Sequence, residues 1–143
     1  MVRWILATCA FLNILGCSAD EASSKMSSQF VGRWTAQYSI KDQGAFRYVI
    51  DRKSDGGYEL LTVRVDGDKV LERESESGKW FIQAGAYKVK TEKVEGKAAS
   101  VRNVTNYQTY TVNDVQADSI KLTHSLSGFQ LLEKRVAPDY KLP

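Results

Sequence analysis

The chain has 143 residues, of which 43% are hydrophobic and 26% are charged, and its formal net charge is +3. This composition is typical of one globular domain, excludes a disordered chain, and gives no indication of nucleic-acid binding. With one histidine and two cysteines, the sequence predicts no metal centre, no cofactor and no disulfide framework.

Residues 1–16 have the pattern of a secretory signal peptide. Arg3 gives a positively charged start, and an apolar run follows over residues 4–14. This run is shorter than the roughly 20 residues that a membrane-spanning helix needs. We therefore expect residues 1–16 to be removed and leave them out of the fold.

The end of this segment, Ile14-Leu15-Gly16-Cys17, resembles a bacterial lipobox. The resemblance implies cleavage before Cys17, a lipid on the Cys17 thiol and acylation of the new amino group. A single acyl chain binds a membrane only marginally, so the several chains implied here would anchor the protein stably. Ser18 implies transfer to the outer membrane, with the protein facing the periplasm. An ordinary signal peptide with a chance cysteine is the alternative.

Beyond Cys17 the sequence divides into a tether, a domain and a tail. Residues 17–29 are polar and rich in serine, which predicts a flexible tether. Residues 30–136 are expected to form the domain. Both prolines, Pro138 and Pro143, lie in the tail at 137–143 and interrupt no strand.

Residues 30–136 have a hydrophobic pattern with a period of two, which is typical of strands with one buried face. Turn signals rich in glycine and aspartate separate the runs, mostly at intervals of about 8–12 residues. The pattern predicts an all-β fold, an antiparallel up-and-down barrel of roughly eight to ten strands.

Two turns set the predicted register of the central strands. A two-residue loop at Ser77-Gly78 pairs Arg73 with Ile82, and a three-residue loop at 66–68 keeps the neighbouring apolar faces in phase. This register places Arg73 on the inner, apolar face with Trp80. The opposite, solvated face then carries three glutamates: Glu72, Glu74 and Glu76.

Two short motifs resemble those of lipocalins and fatty-acid-binding proteins. Gly32-Arg33-Trp34 resembles their G-x-W opening, and residues 129–136 resemble the closing strand of small bacterial lipocalin-like domains. The resemblance implies that Arg135 packs across Trp34 and closes the base of the barrel, a cation–π contact worth about 0.5–2 kcal/mol. The sequence has no pattern for a helical lid after the first strand, so the ligands of these families are not carried over.

The aromatic residues on the inferred inner face favour a barrel filled by its own side chains. The alternative that they leave open is an apolar cavity with a few polar groups. An interior arginine needs an anion, and in barrels that resemble fatty-acid-binding proteins it meets a ligand carboxylate. The candidate ligand-binding residues are Trp34, Tyr38, Tyr48, Arg73, Trp80 and Tyr87.

The sequence thus predicts a membrane-anchored envelope lipoprotein that binds a small apolar or amphiphilic ligand. The alternative is a non-enzymatic interaction protein, such as an inhibitor, an immunity protein or an assembly accessory, with a periplasmic protein as its partner. No catalytic residue is predicted, because the single histidine, His124, has no second histidine or suitably placed acid. We interpret it as a packed or rim residue.

Overall fold

The computed structural model describes residues 19–98 and 107–142, so the predicted signal peptide and Cys17 lie outside it. The described residues form one helix and nine strands. The elements are α1 (Ala19–Phe30), β1 (Gly32–Ile40), β2 (Gly44–Arg52), β3 (Gly57–Asp66), β4 (Lys69–Gln83), β5 (Ala86–Val94), β6 (Lys97–Ala98), β7 (Tyr107–Val115), β8 (Ser119–His124) and β9 (Gln130–Arg135).

Eight of these nine described strands close into one antiparallel barrel. Strands β1 to β5 pair in sequence order, β5 pairs with β7, and β7, β8 and β9 continue the ring. Strand β9 pairs with β1 and so closes it, while the short β6 only extends the edge of β5. The predicted all-β, up-and-down barrel is confirmed.

Helix α1 closes one end of the barrel. Its last residue, Phe30, is fully buried, and its ring centroid lies 5.1 Å from that of Tyr87 and 6.2 Å from that of Trp80. Met26 lies one turn earlier on the same helix face and also packs against the core. The flexible tether expected over residues 17–29 is therefore a helix from Ala19 onward, because the two apolar side chains give it one buried face.

No helix in the described part of the chain has the length and hydropathy of a membrane span.

The opening motif and Arg135 meet at this closed end. The guanidinium carbon of Arg135 lies 4.1 Å from the ring centroid of Trp34, which is the contact that the resemblance implies. Its Nη1 and Nη2 donate to the carbonyls of Val31 and Gln29, each at 3.0 Å. Gly32 has a φ of +116°, and a Cβ there would lie 2.6 Å from Arg135 Nη1. The positive φ therefore favours glycine at this position, and any side chain there would also have to displace the end of Arg135.

Strand β4 passes straight through the turn predicted at Ser77-Gly78. Its first part pairs with β3 and its second part with β5, and the register shifts at Gly78. A Cβ at Gly78 would collide with the carbonyl oxygen of Lys90. The glycine therefore permits a close backbone approach at a β-bulge, and the predicted hairpin is wrong.

This correction reverses the two faces of the part of β4 that precedes Gly78. With no turn, the alternation runs unbroken from Trp80 back to Glu76 and Glu74, and these glutamates line the barrel interior. Arg73 pairs with Val63 on the outer face and is exposed. The inner position predicted for Arg73 is wrong, and so is the outer face predicted for Glu74 and Glu76. Glu74 is nevertheless exposed to solvent, as predicted, whereas Glu76 is half-buried.

The turn before β4 is one residue shorter than predicted. Asp66 pairs directly with Lys69, and a bulge beside Arg64 shifts the register. The hairpin has one extra residue on β4, which the sequence analysis placed in the loop and the structure places in the bulge.

Residues 137–142 pack back against the outside of the barrel. Leu142 is buried with Val49, Val63 and Val65, on the wall face opposite to the interior. The Arg33 Nε donates to the Tyr140 carbonyl at 3.1 Å. The C-terminal tail thus covers a second, smaller apolar cluster.

Candidate functional site

The barrel interior holds a cavity of about 590 Å³. It lies at the end opposite to α1, where β1 ends at Ile40 and where the β8–β9 turn brings Ser127 to the rim. Ile40 is 39% exposed, so this end is open to solvent. The interior is therefore not filled by its own side chains. Aromatic rings supply much of the wall: Tyr38, Phe46, Tyr48, Tyr58, Tyr87, Tyr110 and Phe129.

A buried ion pair between β2 and β9 forms the floor of the cavity. Arg52 and Glu133 are each 1% exposed, and two hydrogen bonds of 2.7 Å join the guanidinium to the carboxylate. The Tyr48 hydroxyl donates to Glu133 at 2.8 Å, and Arg52 Nε donates to the Tyr87 hydroxyl at 2.9 Å. Burial alone would lower the pKa of Arg52, but the charge of Glu133 raises it, so the guanidinium stays charged.

The buried tyrosines present hydroxyl groups that stay protonated. Burial raises the pKa of Tyr87 to about 12 and that of Tyr58 to about 12. Burial also raises the pKa of Tyr48 well above its ordinary value, and Glu133 beside it adds to the rise. Because the Tyr87 oxygen accepts from Arg52, its own proton can be donated to a bound molecule.

One side of the wall is acidic. The Thr91 hydroxyl donates to the Glu76 carboxylate at 3.0 Å and lies 3.0 Å from the Tyr58 hydroxyl, which donates to it. Burial raises the pKa of Glu76, the bond from Thr91 partly offsets this, and the neighbouring Glu74 raises it further. The cavity therefore contains two carboxylates on β4 in addition to the one in the floor.

His124 lies at the mouth of the cavity and takes part in a local turn. Its ring centroid is 5.1 Å from that of Tyr110. The backbone N–H of Ser127 donates to His124 Nδ1 at 3.3 Å, and the Ser127 hydroxyl lies 2.8 Å from the same nitrogen. No described carboxylate bonds to the other ring nitrogen, so these residues do not form a catalytic triad.

The six candidate ligand residues fall into three groups. Tyr38, Tyr48 and Tyr87 line the cavity. Trp34 and Trp80 are buried at the closed end, where the Trp34 indole donates to the Phe30 carbonyl at 2.9 Å. Arg73 lies on the outer surface.

The sequence analysis missed the charged residues of the cavity. Arg52 continues the alternation of β2, and Glu133 continues that of β9, so a stricter use of the two-residue period would have placed both inside. Glu74 and Glu76 were assigned to the outer face because a turn was wrongly predicted at Gly78. Their signal was the same alternation, counted back from Trp80.

The sequence matches no known protein family and no curated protein closely enough to indicate a relative. Among the described residues, no group of three histidine, cysteine or acidic side chains is arranged to hold a metal ion.

Proposed function

We propose that the protein is a lipid-anchored, lipocalin-like binding protein of the bacterial envelope that holds a small amphiphilic molecule in its barrel. The open cavity carries the proposal. Its volume of about 590 Å³ is within the roughly 300–1,000 Å³ of small-molecule sites. Its wall is aromatic with a few hydroxyl and carboxylate groups, which is the composition such sites have. The closed eight-stranded ring and the Trp34–Arg135 contact support the lipocalin likeness.

The position of α1 supports the anchoring. The lipobox-like cysteine, Cys17, precedes Ala19 by two residues, and α1 enters the barrel at its closed end. A membrane anchor on Cys17 therefore leaves the mouth of the cavity at the far end, where it is accessible from the periplasm.

Native mass spectrometry of the full protein, isolated from producing cells, tests the binding. We expect one bound small molecule per chain, and we expect Thr62→Trp to displace it, because Thr62 lines the cavity. Thr111→Trp is the matched control, since Thr111 is exposed on the outer wall. A wild-type protein without ligand after exposure to envelope lipids would contradict the proposal.

Labelling with palmitate tests the anchor separately. The wild-type chain is expected to incorporate the label and sediment with membranes, and Cys17→Ser is expected to lose both properties. Retention of label by this variant would exclude Cys17 as the attachment site.

The second candidate function, interaction with a periplasmic protein, rests on one exposed aromatic pair. Phe81 and Tyr107 are 37% and 53% exposed, and their ring centroids are 6.4 Å apart on the outer wall. Exposed aromatic side chains are common anchors of protein interfaces. Crosslinking in cells would favour this function if a partner were captured by the wild type and lost in Phe81→Ser.

A further inference from the structure

The charges in the cavity indicate which amphiphile it accepts. We propose that the cavity selects an organic cation, a molecule with a hydrophobic body and a protonated amine or quaternary ammonium group, whose charge lies beside Glu76 and Glu74. This inference rests on the proposed function and specifies its ligand. It is the opposite of the carboxylate expected from an interior Arg73.

The described residues that line the cavity carry more negative than positive groups. Arg52 is the one arginine there, no lysine is present, and the Arg52 guanidinium is held by Glu133. Neither Glu74 nor Glu76 forms an ion pair with a described lysine or arginine. The wall therefore carries net negative charge, which attracts a cation and repels a carboxylate.

In the protein without ligand, the Glu76 carboxylate is partly removed from water without a positively charged partner among the described residues. Glu76 is half-buried, and burial disfavours its charged form. The Thr91 hydroxyl and the Tyr58 hydroxyl behind it orient the carboxylate but supply no positive charge. A bound ammonium group would supply that charge.

Aromatic rings line the same cavity as the two glutamates. The rings of Phe46 and Phe129 each have their centroids 5.3 Å from that of Tyr38. Tyr38, Glu74 and Glu76 line the same cavity. Burial raises the pKa of the Tyr38 phenol, and the negative charges of Glu76 and Glu74 raise it further. Aromatic faces bind ammonium groups, most strongly away from water. Carboxylates and aromatic rings thus line the same cavity.

The spacing of Glu74 and Glu76 favours an organic cation over a metal ion. Glu74 and Glu76 are two residues apart on one strand, so their attachment points are roughly 6.6–6.8 Å apart. That spacing is too wide for two carboxylates to chelate one small ion without a third ligand, and the described residues provide none. A larger ammonium group does not need such close coordination.

Calorimetry with three probes of one shape tests the inference. The full chain, reconstituted in nanodiscs of zwitterionic lipid, is titrated with 1-naphthylmethylamine, 1-naphthalenemethanol and 1-naphthoate, and the heat from empty nanodiscs is subtracted. We expect the amine to bind about tenfold more tightly than the alcohol, and the carboxylate to bind most weakly.

Two variants locate the selectivity. Glu76→Gln keeps an oxygen that accepts from Thr91 but removes the charge, and we expect it to weaken amine binding about tenfold and to leave alcohol binding within about twofold. Glu59→Gln is the matched control, because Glu59 lies on the outer face of β3 and is exposed. It should leave all three affinities unchanged.

The possible failures are distinguishable. Equal affinities for amine and alcohol, or tightest binding of the carboxylate, would overturn the cation inference while leaving a binding cavity. An amine preference that survives in Glu76→Gln would also overturn it. If no probe binds, or if binding is unaffected by Thr62→Trp, the proposed cavity function fails and the inference fails with it.

Discussion

Four hydrogen bonds hold Arg52 and Glu133 in the floor of the cavity, with Tyr48 and Tyr87 as the outer partners. Removing two ions from water costs several kcal/mol each, and only such well-aligned bonds offset this cost. Arginine suits the position because its planar guanidinium can meet both carboxylate oxygens at once. The pair also fixes the two tyrosine rings that begin the cavity wall.

We predict that Arg52→Met destabilises the protein by about 3–5 kcal/mol, because Glu133 is left charged in a buried site. Urea unfolding followed by circular dichroism measures this loss. The double variant Arg52→Met/Glu133→Leu should recover much of it, since neither charge remains. Glu72→Gln, which breaks the exposed pair with Arg64, is the control and should cost far less than Arg52→Met, because both of these side chains are solvated. A double variant as unstable as Arg52→Met would show that packing, and not the stranded charge, explains the loss.

The raised pKa of Glu76 predicts a stability that depends on pH. Its pKa in the folded protein lies above the ordinary 4.5, so the folded state binds the proton more tightly than the unfolded state does. Stability therefore falls as pH rises through the folded pKa, and the loss is absent below the unfolded value. The groups that act on or bond to this carboxyl are Glu74 on β4, Tyr58 on β3 and Thr91 on β5.

Glu76→Gln should accordingly be more stable than the wild type at pH 7, by on the order of 0.5 kcal/mol, because partial exposure screens the effect. The difference should vanish as pH falls below 4.5. Thermal unfolding of both proteins across this pH range measures it. A variant less stable at pH 7 would mean that the charged carboxylate stabilises the fold.

At the scale of elements, strand β4 shows what the sequence could and could not predict. Alternation predicts most strands and the antiparallel up-and-down order, because each strand has one face in the core. The closure of the barrel between β9 and β1 is known only from the structure. Ser77-Gly78 has the composition of a turn. In the structure, however, Gly78 lies at a bulge and lets the backbone carbonyl of Lys90 approach closely. Both roles call for the same residue, so local composition cannot separate them. The error reversed the faces of Arg73 and Glu76.

Helix α1 escaped prediction for a different reason. Its serine-rich sequence has weak helix propensity, and its stability comes from two side chains, Met26 and Phe30, that pack against the barrel. Tertiary contacts of this kind depend on elements far away in the sequence. The cavity was likewise only an alternative to a filled core, because the wall aromatics serve equally well in both.

We predict that Phe30→Ala destabilises the protein by about 3–5 kcal/mol, because it leaves a hole at the closed end of the barrel. Phe30 is fully buried against Trp80 and Tyr87. Chemical denaturation measures the change in the free energy of unfolding. Leu126→Ala is the control, since Leu126 is 84% exposed and its loss should cost less than about 0.5 kcal/mol. Equal effects of the two substitutions would show that α1 does not seal the core.

At the scale of the whole molecule, the two ends of the barrel have different tasks. The closed end contains α1, the Trp34–Arg135 contact and the floor of buried charge. The open end contains the mouth, with His124 and Ser127 at its rim. A lipid on Cys17 would connect to the closed end through α1, whose 12 residues span about 18 Å. Ligand would then enter from the side away from the membrane.

Energy transfer to a labelled lipid tests this orientation, and the chain is suited to it because its two cysteines are Cys9, in the predicted signal peptide, and Cys17. A new cysteine in the lipidated protein is then the only free thiol. A dye on Asp118→Cys, at the closed end beside Arg135, should transfer energy to a membrane acceptor more efficiently than a dye on Ser127→Cys at the mouth. Strand β8 connects the two positions, and its six residues span about 20 Å along the strand. Equal transfer from the two sites would mean that the barrel lies on its side, with its mouth next to the membrane surface. In that case a ligand could pass directly from the bilayer into the cavity.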